Sequence, residues 1–222
     1  MTRIPVNILS VRMIPNVSPA LRRALGLGER HRAAGLISTD CDDATYLALD
    51  EATKAANAEV VYARSLYAGA ANATTKLAGE VIGVLGAENP SDVQSALHAA
   101  VAFLQGGAGF QTANEDGSIV FLAHCVASCG NYLSSLAHVP LGQALAYLIA
   151  PPVEALVALD AALKVSDVEM AEFFAPPSET NFAGGLLTGT QSACQAACDA
   201  FAAAVRSVAE KPLDTGGWSY GA

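Results

Sequence analysis

The chain has little charge, and least of all positive charge. Only 15% of its 222 residues are charged, and 12 Lys and Arg face 21 Asp and Glu, a formal charge of −9. Neutralising nucleic-acid phosphates takes clustered Lys and Arg, and none occur here, so nucleic acid is not an expected partner. Cysteines number five, an odd count without a compact framework, which points to reduced thiols rather than a disulfide scaffold. Long apolar runs are missing as well. The stretch from Ala144 to Val153 is broken by Pro151-Pro152 and followed by Glu154, so no segment reads as a membrane helix. The start, MTRIPVNILSV, has no basic region, apolar stretch or small-residue cleavage site, and a cytosolic location is expected. There is no Gly-rich phosphate loop, no metal-ligand cluster and no nucleophile beside an obvious base, so catalysis is not expected.

What the chain does have is apolar content and a repeat. Hydrophobic residues reach 52% and the mean hydropathy is +0.35, which leaves less polar surface than a soluble monomer needs and predicts broad subunit contacts. Ala48 to Val60 reads ALDEATKAANAEV and Ala158 to Met170 reads ALDAALKVSDVEM, with Ala, Leu, Asp, Ala, Lys and Glu in the same places. A second echo sets Ala96-Leu97 and Ala100-Val101 against Ala200-Phe201 and Ala204-Val205. The chain therefore reads as a tandem duplication, and the repeat favours a fused pair with a shared core over two separate domains of roughly 100 residues. Duplicating a small unit turns a hexameric ring into a trimer whose two halves can differ.

Each half has the same order of elements. Strands are expected from Asn7 to Ile14 and from Ala33 to Ser38, with a short helix opened by Ser18-Pro19 and running to Ala24 between them. Asp42 and Asp43 place acid at the start of a helix reaching Asn57, where the helix dipole favours it. Strands Glu59 to Ser65 and Glu80 to Leu85 and a helix from Ser91 to Leu104 complete the first half. The second half repeats this with strand 118–126, helix 131–136, strand 144–149, helix 153–164, strands 168–174 and 185–188, and helix 192–208. Mixed helix and strand in this order imply helices on one face of a small sheet.

The run Thr53 to Ala58, TKAANA, followed by strand, small-residue loop, strand and Ala-rich helix, resembles a bacterial microcompartment shell domain. Together with GLISTDCDDATY, VVYARSLYAGA, YLIAPP, PPSETN and TGTQSACQAACDAF, the chain is similar to the shell proteins of ethanolamine-utilisation microcompartments up to about Val208. The resemblance implies an α+β fold of two tandem circularly permuted shell domains, each a small antiparallel sheet with helices packed on it. Residues 1–112 would form the first, 113–210 the second, and 211–222 a flexible tail. It also implies a flat homotrimer that imitates a hexagon and tiles with other shell proteins around ethanolamine-degrading enzymes. One departure is Ala127-Ser128-Cys129-Gly130-Asn131, where the family carries Ser-Arg-Thr-Gly-Ser. The alternatives are a shell protein of the propanediol type and a free small-molecule-binding regulator; the runs GLISTDCDD and PPSETN favour the ethanolamine type.

Candidate residues follow from motif and resemblance together. Lys54 and Lys164 each stand four residues after an Asp, a spacing that permits an intrahelical ion pair; the resemblance places both at the edge between neighbouring hexagons. The loops Tyr67 to Lys76 and Ala175 to Asn181 link corresponding strands, so in a pseudo-hexamer six of them converge on the central axis. Their gate residues are Tyr67, Ala68, Gly69, Ala70, Asn72 and Thr74 on one side and Pro176, Pro177, Ser178, Glu179 and Asn181 on the other. Gly69 allows alternative backbone paths, whereas Pro176-Pro177 stiffens the chain, and the resemblance implies a large pore that opens and closes by moving these loops. It also singles out Asp42, Asp43, Glu80, Phe110 and Thr180 as a set for ethanolamine, whose ammonium group wants carboxylates and an aromatic face and whose hydroxyl wants a polar partner. Helix capping is the competing role of Asp42 and Asp43. Cys194 and Cys198 share a helix face and read as small apolar packing, while His124 and Cys125 make cobalamin a further candidate partner. No cofactor is assigned.

Overall fold

The computed structural model describes residues 2–65, 81–106, 109–176 and 182–213. Their elements, in chain order, are β1 (Ile8–Ile14), α1 (Pro19–Ala24), β2 (Ala33–Thr39), α2 (Asp42–Ala55), β3 (Ala58–Ser65), β4 (Val81–Ala87) and α3 (Pro90–Gly106). Then come β5 (Gln111–Thr112), β6 (Val120–Val126), α4 (Asn131–Ala137), β7 (Ala144–Ala150), α5 (Pro152–Val165), β8 (Val168–Phe174), β9 (Ala183–Gly189) and α6 (Gln191–Glu210). The expected fold class holds: two antiparallel sheets, each with helices packed on it.

The first compact unit is Pro5–Gly109 together with Ser128–Gln143. Its sheet has the order β1-β2-β4-β3. Strand β2 alternates between two faces. Ala33 and Ile37 join a cluster with Leu49 of α2, Leu85 of β4 and Leu97 of α3, while Ala34 turns to the other face and meets Val17, Leu27 and Val84. That second face is therefore covered too, by the residues flanking α1, a layer the period-2 pattern alone left unassigned.

The second unit is Met1–Ile4, Phe110–Ala127 and Ala144–Ala222, with sheet order β5-β6-β7-β9-β8. Here Phe121, Leu148, Leu187 and Phe201 are buried with the small residues of α5 and α6. Each unit carries buried clusters of its own. The units also exchange segments. Residues 128–143, assigned by sequence to the second domain, belong with the first unit, and the first four residues belong with the second. The latter is a matter of backbone pairing: Ile4 N–H donates to Phe110 O at 2.8 Å and Thr112 N–H to Thr2 O at 3.0 Å. Nothing in the alternation of so short a segment announces it.

The duplication is visible in detail. Strands β3 and β8 carry a register shift at the same place, between Val60 and Tyr62 and between Met170 and Glu172, as expected of a bulge that bends the same strand twice. Buried Thr45, Ala48, Leu49 and Ala52 of α2 match buried Ala155, Ala158, Leu159 and Ala162 of α5. The second echo proves to be out of register. Buried Val93, Ala96, Leu97, Ala100 and Leu104 of α3 correspond to Cys194, Ala197, Cys198, Phe201 and Val205 of α6, so Ala96 matches Ala197 rather than Ala200. In Ala-rich helices many registers give similar letters, and only the buried stripe picks one.

Candidate functional site

Helix α4 begins at Gly130, which has no side chain to cap it, and the four N–H groups of its first turn need acceptors. Helix α2 provides them from about eighty residues away. The two carboxylate oxygens of Asp50 accept from Gly130 N–H at 2.7 Å and from Leu133 N–H at 2.9 Å. Thr53 Oγ1 accepts from Asn131 N–H at 3.1 Å while donating to Asp50 O at 2.7 Å. Lys54 Nζ donates to Ser128 O at 3.0 Å, lies 3.7 Å from Asp50 and pairs with Glu51. Tyr46 stacks obliquely on Tyr132, their ring centroids 6.1 Å apart. Asp50 is buried, and burial pushes its carboxyl above the ordinary range against the opposing pull of the Gly130 and Leu133 N–H groups and of Lys54. Gly130 is required by the approach, since a Cβ there would meet Thr53 Oγ1 at 2.3 Å and Asp50 O at 2.6 Å.

The expected pair of Asp50 and Lys54 is present, but Lys54 is no free edge cation: its side chain is 27% exposed, against 73% for Lys164, which pairs with Asp160 at 2.5 Å. Sequence reasoning missed the role of Asp50. Two signals pointed to it: an acid in line with Leu47 and Thr53 on an apolar stripe, and a helix opening on glycine.

Asp42 and Asp43 lie together at the N-terminus of α2, both buried. Asp42 Oδ1 accepts from Asp43 N–H at 2.8 Å and Oδ2 accepts from the Ser65 hydroxyl at 2.8 Å; the N-cap itself is Cys41, which makes no side-chain capping bond. Cys41, just before them, is pushed up to about 12 by burial and by its acidic neighbours and remains a thiol. Phe110 belongs to the second unit, where it is buried with its ring centroid 5.5 Å from that of Phe182. Pro176 is exposed just beyond β8. Glu80 and Thr180, with the gate residues Tyr67, Ala68, Gly69, Ala70, Asn72, Thr74, Pro177, Ser178, Glu179 and Asn181, lie outside the described residues.

Cys194 and Cys198 sit in the core of the second unit, and burial raises both thiols, Cys194 to about 11, in keeping with alanine-like packing. Cys125 Sγ approaches Gln191 O at 3.7 Å. Among the described residues, no group of three His, Cys, Asp or Glu is arranged to hold a metal ion. His31 is buried, accepts from Gly28 N–H at 3.2 Å and faces Glu59 at 3.3 Å. Two shallow concavities of about 260 and 210 Å³ flank Arg12 on the edge strand β1, and neither includes a predicted ligand residue.

Residues 33–113 match the BMC domain. Over 207 residues the chain is 63% identical to the bacterial microcompartment shell protein EutL of Clostridium perfringens (strain 13 / Type A), covering 93% of this chain and 95% of that protein. Its fold is similar to the crystal structure of ethanolamine utilization protein EutL from Leptotrichia buccalis C-1013-b, with a TM-score of 0.93, 57% identity and coverage of 96% of this chain and 98% of that one. Identity to the shell protein PduB of Citrobacter freundii is lower, 31% over 77% of this chain and 62% of that protein. Two matched copies of one β-α-β-α-β-β-α unit, in a chain this similar over nearly its whole length, settle the family: the chain belongs to the EutL shell proteins of the ethanolamine-utilisation bacterial microcompartment.

Proposed function

We propose that the chain is a homotrimeric tile of the microcompartment shell in the bacterial cytoplasm, meeting other shell proteins at its edges. Its role is structural and conductive, with no reaction of its own. The observation that carries this reading is the repetition of one β-α-β-α-β-β-α unit within the chain, which lets three copies imitate a ring of six. The high apolar content, with Val153, Leu156 and Val157 exposed on α5, supports it, because such surface calls for subunit contacts.

In this reading the loops 67–76 and 175–181 meet around the trimer axis and gate the large pore. Asp42, Asp43, Glu80, Phe110 and Thr180 hold ethanolamine in smaller pores, the carboxylates taking its ammonium group and the threonine its hydroxyl. Cobalamin is a candidate cargo of the large pore. The mass in solution is the first test: light scattering is expected to give about three times 22.7 kDa, and a monomer would remove the walls of every pore. Ethanolamine titrated into the trimer by calorimetry is expected to bind, and Asp42→Ala to weaken binding about tenfold or more, the loss of one charge-assisted contact. Equal affinity would end the assignment of Asp42.

A further inference from the structure

The two copies of the unit do not bury the same helix faces. On α2 the stripe Asp43, Leu47, Asp50 and Thr53 is buried, each residue 8% exposed or less. Its counterparts on α5 are Val153, Val157, Asp160 and Leu163. These are 65%, 48%, 64% (side chain) and 36% exposed, with Leu156, the counterpart of Tyr46, at 45%. In the first unit, α4 covers this stripe at Tyr46, Asp50 and Thr53. On α5 the counterpart stripe is exposed, with no covering helix among the described residues of its unit.

The element that would cover it is recognisable. Helix α1 is the repeat counterpart of α4, since both end in a left-handed residue, Gly26 at φ 72° and His138 at φ 54°. The same backbone bonds close both turns: Leu27 N–H to Arg22 O at 3.0 Å and Val139 N–H to Ser134 O at 3.1 Å. Leu133 of α4 is fully buried, whereas its counterpart Leu21 is 39% exposed and α1 buries no residue at all. The chemistry of the two pairs has also changed in step. Where Thr53 accepts the Asn131 N–H, α5 offers Leu163, which cannot accept, and α1 offers Pro19, which has no N–H to give. Where Asp50 accepts the Leu133 N–H, α1 has Ser18 accepting the Leu21 N–H for itself at 3.4 Å, and Asp160 is turned to Lys164 instead. Ser18 stands where Gly130 permits the closest approach, so a contact made by α1 would be a wider, apolar version of the α4 contact.

Resting on the trimeric reading above, we propose that the exposed stripe of α5 in one copy receives α1 of the next, with Leu21 seated against Leu156, Val157 and Leu163. The contact is head to tail, so each copy gives one helix and takes one, and such contacts close into a ring when the rotation allows. Leu21→Glu and Val157→Glu test it, because each desolvates a carboxylate at the junction while leaving the chain's own core intact. Each variant alone is expected to run as a 22.7 kDa monomer with unchanged circular dichroism. Mixed at equal concentration they are expected to form a dimer and nothing larger, since Val157→Glu keeps a good α1 and Leu21→Glu keeps a good α5. If a glutamate variant loses its helical signal, Leu21→Ala and Val157→Ala replace it, with the trimer's dissociation constant expected to rise about tenfold or more. Variants that stay trimeric, or a mixture that does not associate, would overturn the α1–α5 assignment and leave the trimer standing. A monomeric wild type would overturn both.

Discussion

Helices α2 and α5 began as one sequence, and Asp50 and Asp160 mark how far they have diverged. Both acids stand four residues before a lysine, and by pattern they are the same residue. In the structure Asp50 is a buried acceptor for the N–H groups of a distant segment, while Asp160 is an exposed partner of Lys164. The difference lies in what arrives opposite. Segment 128–143 brings Gly130 and an uncapped helix start to α2, whereas the matching stripe of α5 stays exposed among the described residues. Identical spacing thus supports a structural acceptor in one copy and a solvated ion pair worth little in the other.

The sharpest way to break this comparison is to remove both acids in turn in the Val157→Glu background, where the α5 stripe is kept uncovered. Asp50→Ala leaves two buried N–H groups without an acceptor and is expected to lower stability to urea by about 3 kcal/mol. Asp160→Ala is expected to change it by less than about 0.5 kcal/mol. Equal losses would mean that the cap contributes nothing beyond an ion pair. Next comes Gly130→Ala, which forces a Cβ into Thr53 and Asp50 and is expected to cost about 2 kcal/mol; thermal unfolding that matches the parent would show that α4 can retreat from α2 without loss.

A smaller effect of Asp50 is read by pH. Because burial raises the Asp50 carboxyl in the folded state, its favourable share of stability is fully present below the ordinary carboxylate range and declines as pH rises through the raised value. The margin of wild type over Asp50→Asn is therefore expected to be larger at about pH 4 than at about pH 7. The reverse slope in urea titrations at the two pH values would contradict the direction of the shift. The lysines give the finest test. We propose that both stand at the tile edge, yet Lys54 is tied to Ser128 O and Lys164 is exposed. Lys164→Ala is expected to weaken two-dimensional sheets in electron micrographs more than Lys54→Ala, with trimer mass unchanged in both; a stronger effect at Lys54 would mean that it leaves Ser128 on assembly.

Periodic features were legible in the letters. The strands, the helices and the repeat of the ALD and lysine positions follow from alternation, helical spacing and start signals, which depend on neighbours a few residues away. The register of α6 against α3 was misread because alanine at every second or third position makes several alignments look alike. The site was less legible. The cap on α4 joins residues about eighty positions apart, and the only local traces were a glycine where a capping side chain belongs and an acid on an apolar stripe. His31 was passed over for the same reason, since its partners Gly28 and Glu59 meet it through the turn after α1 and through β3.

The sequence by itself determined the order and type of the elements other than β5, the duplication, and the acidic and apolar balance, because each depends on composition or on short-range periodicity, while the resemblance to microcompartment shell domains rests on whole motifs such as GLISTDCDDATY and PPSETN. Only the tertiary structure decided which of two equivalent acids is buried, which lysine is occupied, and where segment 128–143 docks. Those outcomes depend on which backbone donors reach a given helix face, and a desolvated N–H accepts no substitute for a well-placed acceptor.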